Sequence, residues 1–276
     1  MQRTRVVSVA YLNAMPLTWG LTRGSLRETV EVVSVPPCDA CGLLTDTRAD
    51  VALIPSIELA RSAGLTPVPG TGIAAAKEVR SVLLLSRVEP AAIRTLAADS
   101  NSRTSVALSL VMLKRRYRCR PQVDRMPPDP ARMLLTHDAA LVIGDAALKL
   151  AGNPPREAPF VIDLADAWHA MTGLPFVFAL WACRPVVSPL RLSEMFEQSL
   201  EEGLANIDVI AREESARVGI PEAVIASYLR ENIRFRLGHE EMSSLRMFFS
   251  LCREDGLLNV YAPPRPASRS VAVKSG

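Results

Sequence analysis

Over the first two thirds of the chain, apolar residues fall in short runs of strand length, each followed by a stretch with helical spacing. Residues 6–10 are largely β-branched and read as a buried strand. The run breaks at Tyr11, Leu12 and Asn13 and passes through Pro16 into a helical segment. Residues 28–35 alternate well enough for a second strand, ended by Pro36 and Pro37, and a short helix follows over 38–47. Residues 51–54 form a third strand, Pro55 and Ser56 start a helix over 57–62, and Gly64 closes it. This β-α-β-α-β alternation predicts a parallel sheet with helices on both faces. Residues 68–73 carry Pro69, Gly70 and Gly72 and read as turns, after which 78–86 form a strong strand.

Strands at 95–98, 122–126, 139–143 and 161–164 then alternate with helices at 105–117, 131–135 and 146–150 and a helical turn at 165–172. Asp129 and Pro130 supply a cap and a first-turn proline for the middle helix. Residues 176–183 are a long apolar strand, and from Ser188 onward the pattern is helical. Leu192, Phe196, Leu200 and Leu204 share one face; a second helix begins at Pro221 and includes Val224, Ile225, Tyr228 and Leu229. A third covers 240–253, with Met242, Leu245, Phe249 and Cys252 in one stripe, and 262–276 read as a disordered tail. The strands at 78–86 and 176–183 bracket a self-contained β/α block. The expectation is an α/β protein of two lobes: 1–84 with 180–276 as a discontinuous first lobe, 85–179 as the second, and a ligand cleft between them that closes by a hinge.

Composition narrows the function without naming it. The 276 residues are 49% apolar and 22% charged, an ordinary globular balance with length enough for a sizeable core. A net charge of +3, with basic residues scattered rather than striped, argues against nucleic acid as partner. No cleavage signal precedes the first strand and no apolar run reaches membrane-span length, so a cytoplasmic protein without a membrane partner is expected. Cysteines at 38, 41, 119, 183 and 252 do not make a disulfide framework. Cys38 and Cys41 form a CxxC. A redox reading needs it at a helix start, a zinc reading needs a second ligand pair that His137, His169 and His239 do not supply, and small buried thiols are the plainer reading.

Candidate chemistry lies where strands end just before helices: at Asn13, at Pro55 and Ser56, at residues 102–105, and at Gly144 and Asp145. Helix N-termini present unpaired N–H groups and the positive dipole end, and so bind carboxylates or phosphates. Residues 100–105 are the richest of these ends, with hydroxyls, an amide and Arg103, although any one hydroxyl there can be a plain N-cap. Arg80 and Ser81 open the 78–86 strand and alternate in direction, so either can face the cleft. Dinucleotide, phosphate-loop, serine-hydrolase and zinc-protease spacings are all absent. Asp163 and Asp166 read as a solvated acidic turn.

Six stretches, taken in order, resemble the menaquinone-biosynthesis enzymes of the futalosine pathway, with the nearest fit to the chorismate dehydratases. They are residues 9–17 around Tyr11, Leu12 and Asn13; 52–58 around Pro55 and Ser56; 79–86 from Val79, Arg80 and Ser81; 102–108; 143–148; and 172–181. Met15, where relatives often have Leu, and the Cys38–Cys41 pair depart from the pattern. The resemblance implies a periplasmic-binding-protein-like fold of type II and a carbon–oxygen lyase that takes water from chorismate to give 3-(1-carboxyvinyloxy)benzoate, with no cofactor or metal. It places Asn13 and Ser81 in catalytic positions and Ser56, Arg80, Ser102, Thr104, Ser105, Gly144 and Asp145 in substrate binding. No protein base stands out, so the hypothesis is that the substrate's enolpyruvyl carboxylate takes the proton, positioned by Asn13 and Ser81. An ester or amide of that carboxylate that still turned over normally would sink it. The alternatives are the 1,4-dihydroxy-6-naphthoate synthase of the same pathway, expected to use a cleft histidine, a non-catalytic small-anion-binding protein, and a ligand-sensing module. Monomer and homodimer both remain open.

Overall fold

The structure is a computed structural model that describes residues 3–258, so the expected tail at 262–276 lies outside the described residues. The chain opens with β1 (Thr4–Val9), a 3-10 turn at Leu12–Ala14, α1 (Met15–Thr22), β2 (Val30–Val35), α2 (Pro37–Thr45), β3 (Val51–Pro55), α3 (Ser56–Arg61) and β4 (Thr66–Ala75). It continues through β5 (Val82–Ser86), β6 (Thr95–Asp99), α4 (Thr104–Arg116), β7 (Gln122–Met126), α5 (Pro130–Thr136), β8 (Ala139–Ile143), α6 (Gly144–Ala151), β9 (Phe160–Asp163) and α7 (Leu164–Thr172). It returns with β10 (Phe176–Cys183), α8 (Pro189–Ala205), α9 (Ile207–Val218), α10 (Glu222–Ser227), a π-helical turn at Tyr228–Asn232, β11 (Arg234–Leu237) and α11 (His239–Glu254).

These strands form two sheets. One has the order β11-β4-β10-β3-β1-β2, the other β7-β6-β8-β5-β9. The parallel arrangement holds for β2, β1 and β3, but β10 runs antiparallel to both β3 and β4, and β11 antiparallel to β4. The reason is the return path: β10 enters the first sheet from the second, against the strands already laid down. In the second sheet β6 runs parallel to β7 and β8, while β5 is antiparallel to β8 and β9. The chain therefore crosses between sheets twice, at 76–81 and at 173–175.

Four elements differ from the sequence reading. The turn-like 68–73 lies inside β4, ten residues long. Its Pro67 and Pro69 precede Gly70–Ala74, the span that β11 covers, so the missing N–H groups cost no ladder bond on that side. The strand expected from 78 starts only at Val82, because the residues before it make the crossing; Arg80 there has φ +61. Helix α9 and strand β11 were not expected at all, the first being highly charged and the second only four residues long.

The core is built from the apolar runs that marked the strands. Every residue of β3, β5 and β8 is buried. Trp168 of α7 packs edge-on against Phe176 and Phe248 and donates its indole N–H to Ser244 Oγ at 2.9 Å, which ties α7 to α11. Trp181 stacks on Phe196 with centroids 4.1 Å apart. Helices α1 and α8 approach so closely that a Cβ on Gly203 would lie 2.0 Å from the Pro16 carbonyl oxygen. Ser199 Oγ donates to the Leu17 carbonyl at 2.8 Å across the same contact. This packing holds α1, and with it the turn that carries Asn13.

Candidate active site

A cleft lies between the two sheets and holds about 580 Å³ of empty space when the open solvent at its mouth is counted. Each of the four strand ends singled out in the sequence supplies part of its lining: Asn13 after β1, Pro55 at the end of β3, residues 102–105 before and into α4, and Gly144 after β8. Ser81 reaches it from the first crossing segment.

One wall is neutral. Asn13 sits in the 3-10 turn after β1, and its Oδ1 is buried without a hydrogen-bond partner. Ser81 is buried; its Oγ accepts from the Tyr228 hydroxyl at 2.8 Å, and its carbonyl accepts the Gly144 N–H at 2.8 Å. Tyr228 is buried, and burial pushes its phenol far above the ordinary range, so it stays protonated. Tyr11 also lines the cleft and is pushed up by burial and by the nearby Asp99 and Asp145.

The facing wall is the start of α4. No side chain caps this helix, so its first-turn N–H groups keep their capacity for an anion. Ser102, Arg103, Thr104 and Ser105 all line the cleft beside it, and Ser102 Oγ is buried without a partner. Thr104 is committed elsewhere: its Oγ1 accepts the Ile57 N–H at 3.3 Å and lies 3.4 Å from Ser56 Oγ. It therefore fastens α4 to the end of β3 as well as facing the cleft.

Three residues expected to bind substrate are not part of the lining. Ser56 is fully buried and donates to the Val177 carbonyl at 2.8 Å. Asp145 accepts the Leu12 N–H at 3.1 Å and pairs with Arg217 at 3.6 Å, which pins the Asn13 turn against α6; burial raises its carboxyl. Arg80 contributes backbone, its N–H donating to Asp163 Oδ2 at 2.6 Å beside that of Val79 at 3.0 Å. Asp163 is thus no solvated turn. Its other oxygen caps α7 through Ala165 and Asp166, and burial pushes its carboxyl up to about 6 against those four N–H donors. Gly144 faces the cleft with φ +66, and a Cβ there would stand 2.7 Å from the Tyr11 ring.

Sequence reasoning passed over Tyr228 and Tyr11 as site residues and counted Asn101 only as the amide of the 100–105 end. Tyr228 looked like one more member of an apolar helix face, and 147 positions separate it from Ser81. Among the described residues no group of His, Cys, Asp or Glu is arranged to hold a metal ion, and none of the three histidines lines the cleft. Cys38 and Cys41 do sit on the first turns of α2, but both are free thiols, and burial together with Asp39 pushes Cys38 up to about 11, away from reactive thiolate. No helix among the described residues is long and apolar enough to cross a membrane.

Comparison with known proteins adds relatives to this geometry. A family model described as menaquinone biosynthesis matches residues 4–254. A chorismate dehydratase of Thermus thermophilus is 28% identical over 253 residues, covering 86% of this chain and 91% of its own. One from Campylobacter jejuni is 28% identical over 250 residues, covering 89% and 96%. Among solved structures, an Archaeoglobus fulgidus protein superposes with a TM-score of 0.68 at 14% identity, covering 92% of this chain and 98% of its own. The periplasmic aliphatic sulphonate binding protein of Escherichia coli gives 0.62 at 16% identity, covering 100% and 97%. At such identities the likeness speaks for the fold alone, which is periplasmic-binding-protein-like.

Proposed function

The chain belongs to the menaquinone biosynthesis family, whose model spans residues 4–254, and from that premise we propose that it is a dehydratase that converts chorismate to 3-(1-carboxyvinyloxy)benzoate and water. The observation that carries the reading is what the cleft lacks and what it offers. Among the described residues, no carboxylate, imidazole or amine lines it, while the uncapped start of α4 with Arg103 faces a neutral amide and hydroxyl pair. A ligand that brings its own base and two carboxylates suits such a site.

The ring carboxylate of chorismate is placed at the start of α4, where backbone N–H groups and Arg103 attract it. Loss of the proton from the ether-bearing ring carbon sends the electron pair through the adjacent double bond toward that carboxylate. The growing charge is then met by donors already in place. The C–O bond to the neighbouring ring hydroxyl breaks, the departing oxygen takes up the proton that the substrate's carboxylate removed from the ring and leaves as water, and the ring becomes aromatic. The enolpyruvyl carboxylate of the substrate accepts the ring proton. Asn13 and Ser81 hold the reacting end so that this transfer is intramolecular and well aligned.

Incubating the purified protein with chorismate tests the reading. A new aromatic absorbance with loss of one water by mass is the expected outcome. Tight binding without turnover would instead identify an anion-binding protein. Conversion of a cyclic futalosine derivative to 1,4-dihydroxy-6-naphthoate would identify the other activity, which the absence of a cleft histidine already disfavours.

A further inference from the structure

Behind Ser81 and Asn13 stands a residue that touches both. Tyr228 is fully buried and opens the π-helical turn Tyr228–Asn232, a helix form found disproportionately at functional sites. Its hydroxyl donates to Ser81 Oγ at 2.8 Å, and the Asn13 side chain lies close enough to influence the phenol. The protons in this cluster can be counted. A phenol has one proton, and Tyr228 gives it to Ser81, so it has none left to give to Asn13. Asn13 Oδ1 is then turned elsewhere, and it is indeed buried without a donor. The reverse relay, from Ser81 to Tyr228 to Asn13 Oδ1, would leave that oxygen partnered, and it is not. Ser81, having accepted, keeps its own O–H to give.

We infer that Tyr228 is a positioning residue that sets the hydrogen-bond polarity of the neutral wall, leaving Ser81 as a donor and Asn13 Oδ1 as an acceptor toward the cleft. A single hydroxyl satisfies both at once: its oxygen accepts from Ser81 and its hydrogen is taken by Asn13. The wall therefore selects a ring alcohol. A carboxylate would set one acceptor against another at Asn13 Oδ1. Resting on the dehydratase reading, the alcohol is the departing hydroxyl of chorismate. Ser81 then donates to the oxygen on which charge grows as the C–O bond breaks, while Asn13 fixes the direction of that bond. The proton-accepting carboxylate of the substrate is thereby moved away from Asn13, against the sequence-based expectation that Asn13 positions it.

The test uses the full chain with Tyr228→Phe, Ser81→Ala and the double variant. Tyr228→Phe keeps the ring and loses only the donor, so kcat is expected to fall on the order of 10²-fold with KM changed less than about threefold. Because Tyr228 acts through Ser81, the double variant should turn over no more slowly than Ser81→Ala; losses that multiply would overturn the proposal. A chorismate analogue without the ring hydroxyl should bind the wild type at least about tenfold more weakly than chorismate, since it leaves Asn13 Oδ1 unpaired, and Tyr228→Phe should narrow that preference. Equal binding to the wild type would overturn the assignment. One arm needs no substrate. The ligand-free protein should show a slowly exchanging tyrosine hydroxyl proton by NMR that disappears in Tyr228→Phe and moves in Ser81→Ala. A resonance unmoved by Ser81→Ala would refute the hydrogen-bond order. That arm still decides the polarity if chorismate proves not to be the substrate.

Discussion

Asn13 and Ser81 face the cleft, with Tyr228 buried behind them, and the three carry no formal charge, whereas residues 102–105 face it with a guanidinium and an open helix start. On the first wall the polar groups are chained, with Tyr228 bonding Ser81 and neighbouring Asn13, so their directions are fixed before any ligand arrives. On the second, Ser102 Oγ is buried without a partner and the helix start is uncapped, so the groups are many and less tightly ordered. The difference separates two tasks. Charge gathers an anionic ligand and holds it before and during reaction, while fixed neutral groups matter at the atoms whose bonds change.

The strongest way to break this division is on the neutral wall. Ser81→Ala and Asn13→Ala should each lower kcat on the order of 10²- to 10³-fold, as loss of a preorganised group does, with KM nearly unchanged, and Ser81→Ala should also lower the thermal midpoint because it leaves the buried Tyr228 hydroxyl without its acceptor. Steady-state kinetics beside a melting curve checks this, and a rise in KM at constant kcat would put binding rather than chemistry there. Next in size, Arg103→Ala should raise KM about 10- to 100-fold, the range of a lost charge-assisted hydrogen bond, with kcat within about threefold. Thr104→Ala should shift KM in the same direction by less, since its oxygen already serves the Ile57 N–H. A collapse of kcat in either variant would merge the two walls into one.

A smaller effect is expected where the walls meet. Gly144 has φ +66 and a Cβ would press on Tyr11 at 2.7 Å, so Gly144→Ala should cost about 1–3 kcal/mol of stability by denaturant titration. A neutral result would mean that Tyr11 gives way freely. The smallest effect concerns the segment behind Ser81. Burial raises the Asp163 carboxyl from an ordinary 3.8 to about 6, so the folded state holds its proton more firmly than the unfolded chain does. The contribution of Asp163 to stability therefore falls as pH rises from about 4 to about 6 and is constant above. Asp163→Asn should flatten that slope in melting curves recorded across the window, and an unchanged slope would assign it to other groups.

Much of this architecture could be read from the chain because the physics that builds it is local. The runs 51–54 and 139–143 are fully apolar and became central strands buried on both faces. Asp129 reads as a cap and accepts the Arg132 N–H. What escaped depends on distant partners. The β4 segment looks like a turn until β10 and β11 are seen flanking it. The direction of β10 follows from its route through the other sheet. Ser56 and Asp145 were legible as strand-end polar groups, but only tertiary packing turns their side chains to Val177 and Leu12. Tyr228 gives no local signal whatever, since an apolar-face tyrosine and one aimed at a serine look alike in one dimension.

The first crossing segment carries a consequence for how such a molecule can change over evolutionary time. Ser81 takes the Tyr228 proton from one side of the cleft and the Gly144 N–H from the other, and the backbone just before it is clasped by Asp163. A protein that merely grips its ligand can exchange the strap between its halves freely, since any strap that allows closure will do. If Ser81 acts as proposed, the strap supplies a working side chain, and neither half is then a portable module. Variation that would be silent in a pure binder is filtered in this segment, and a route from gripping to catalysis runs through the joint as well as through the pocket.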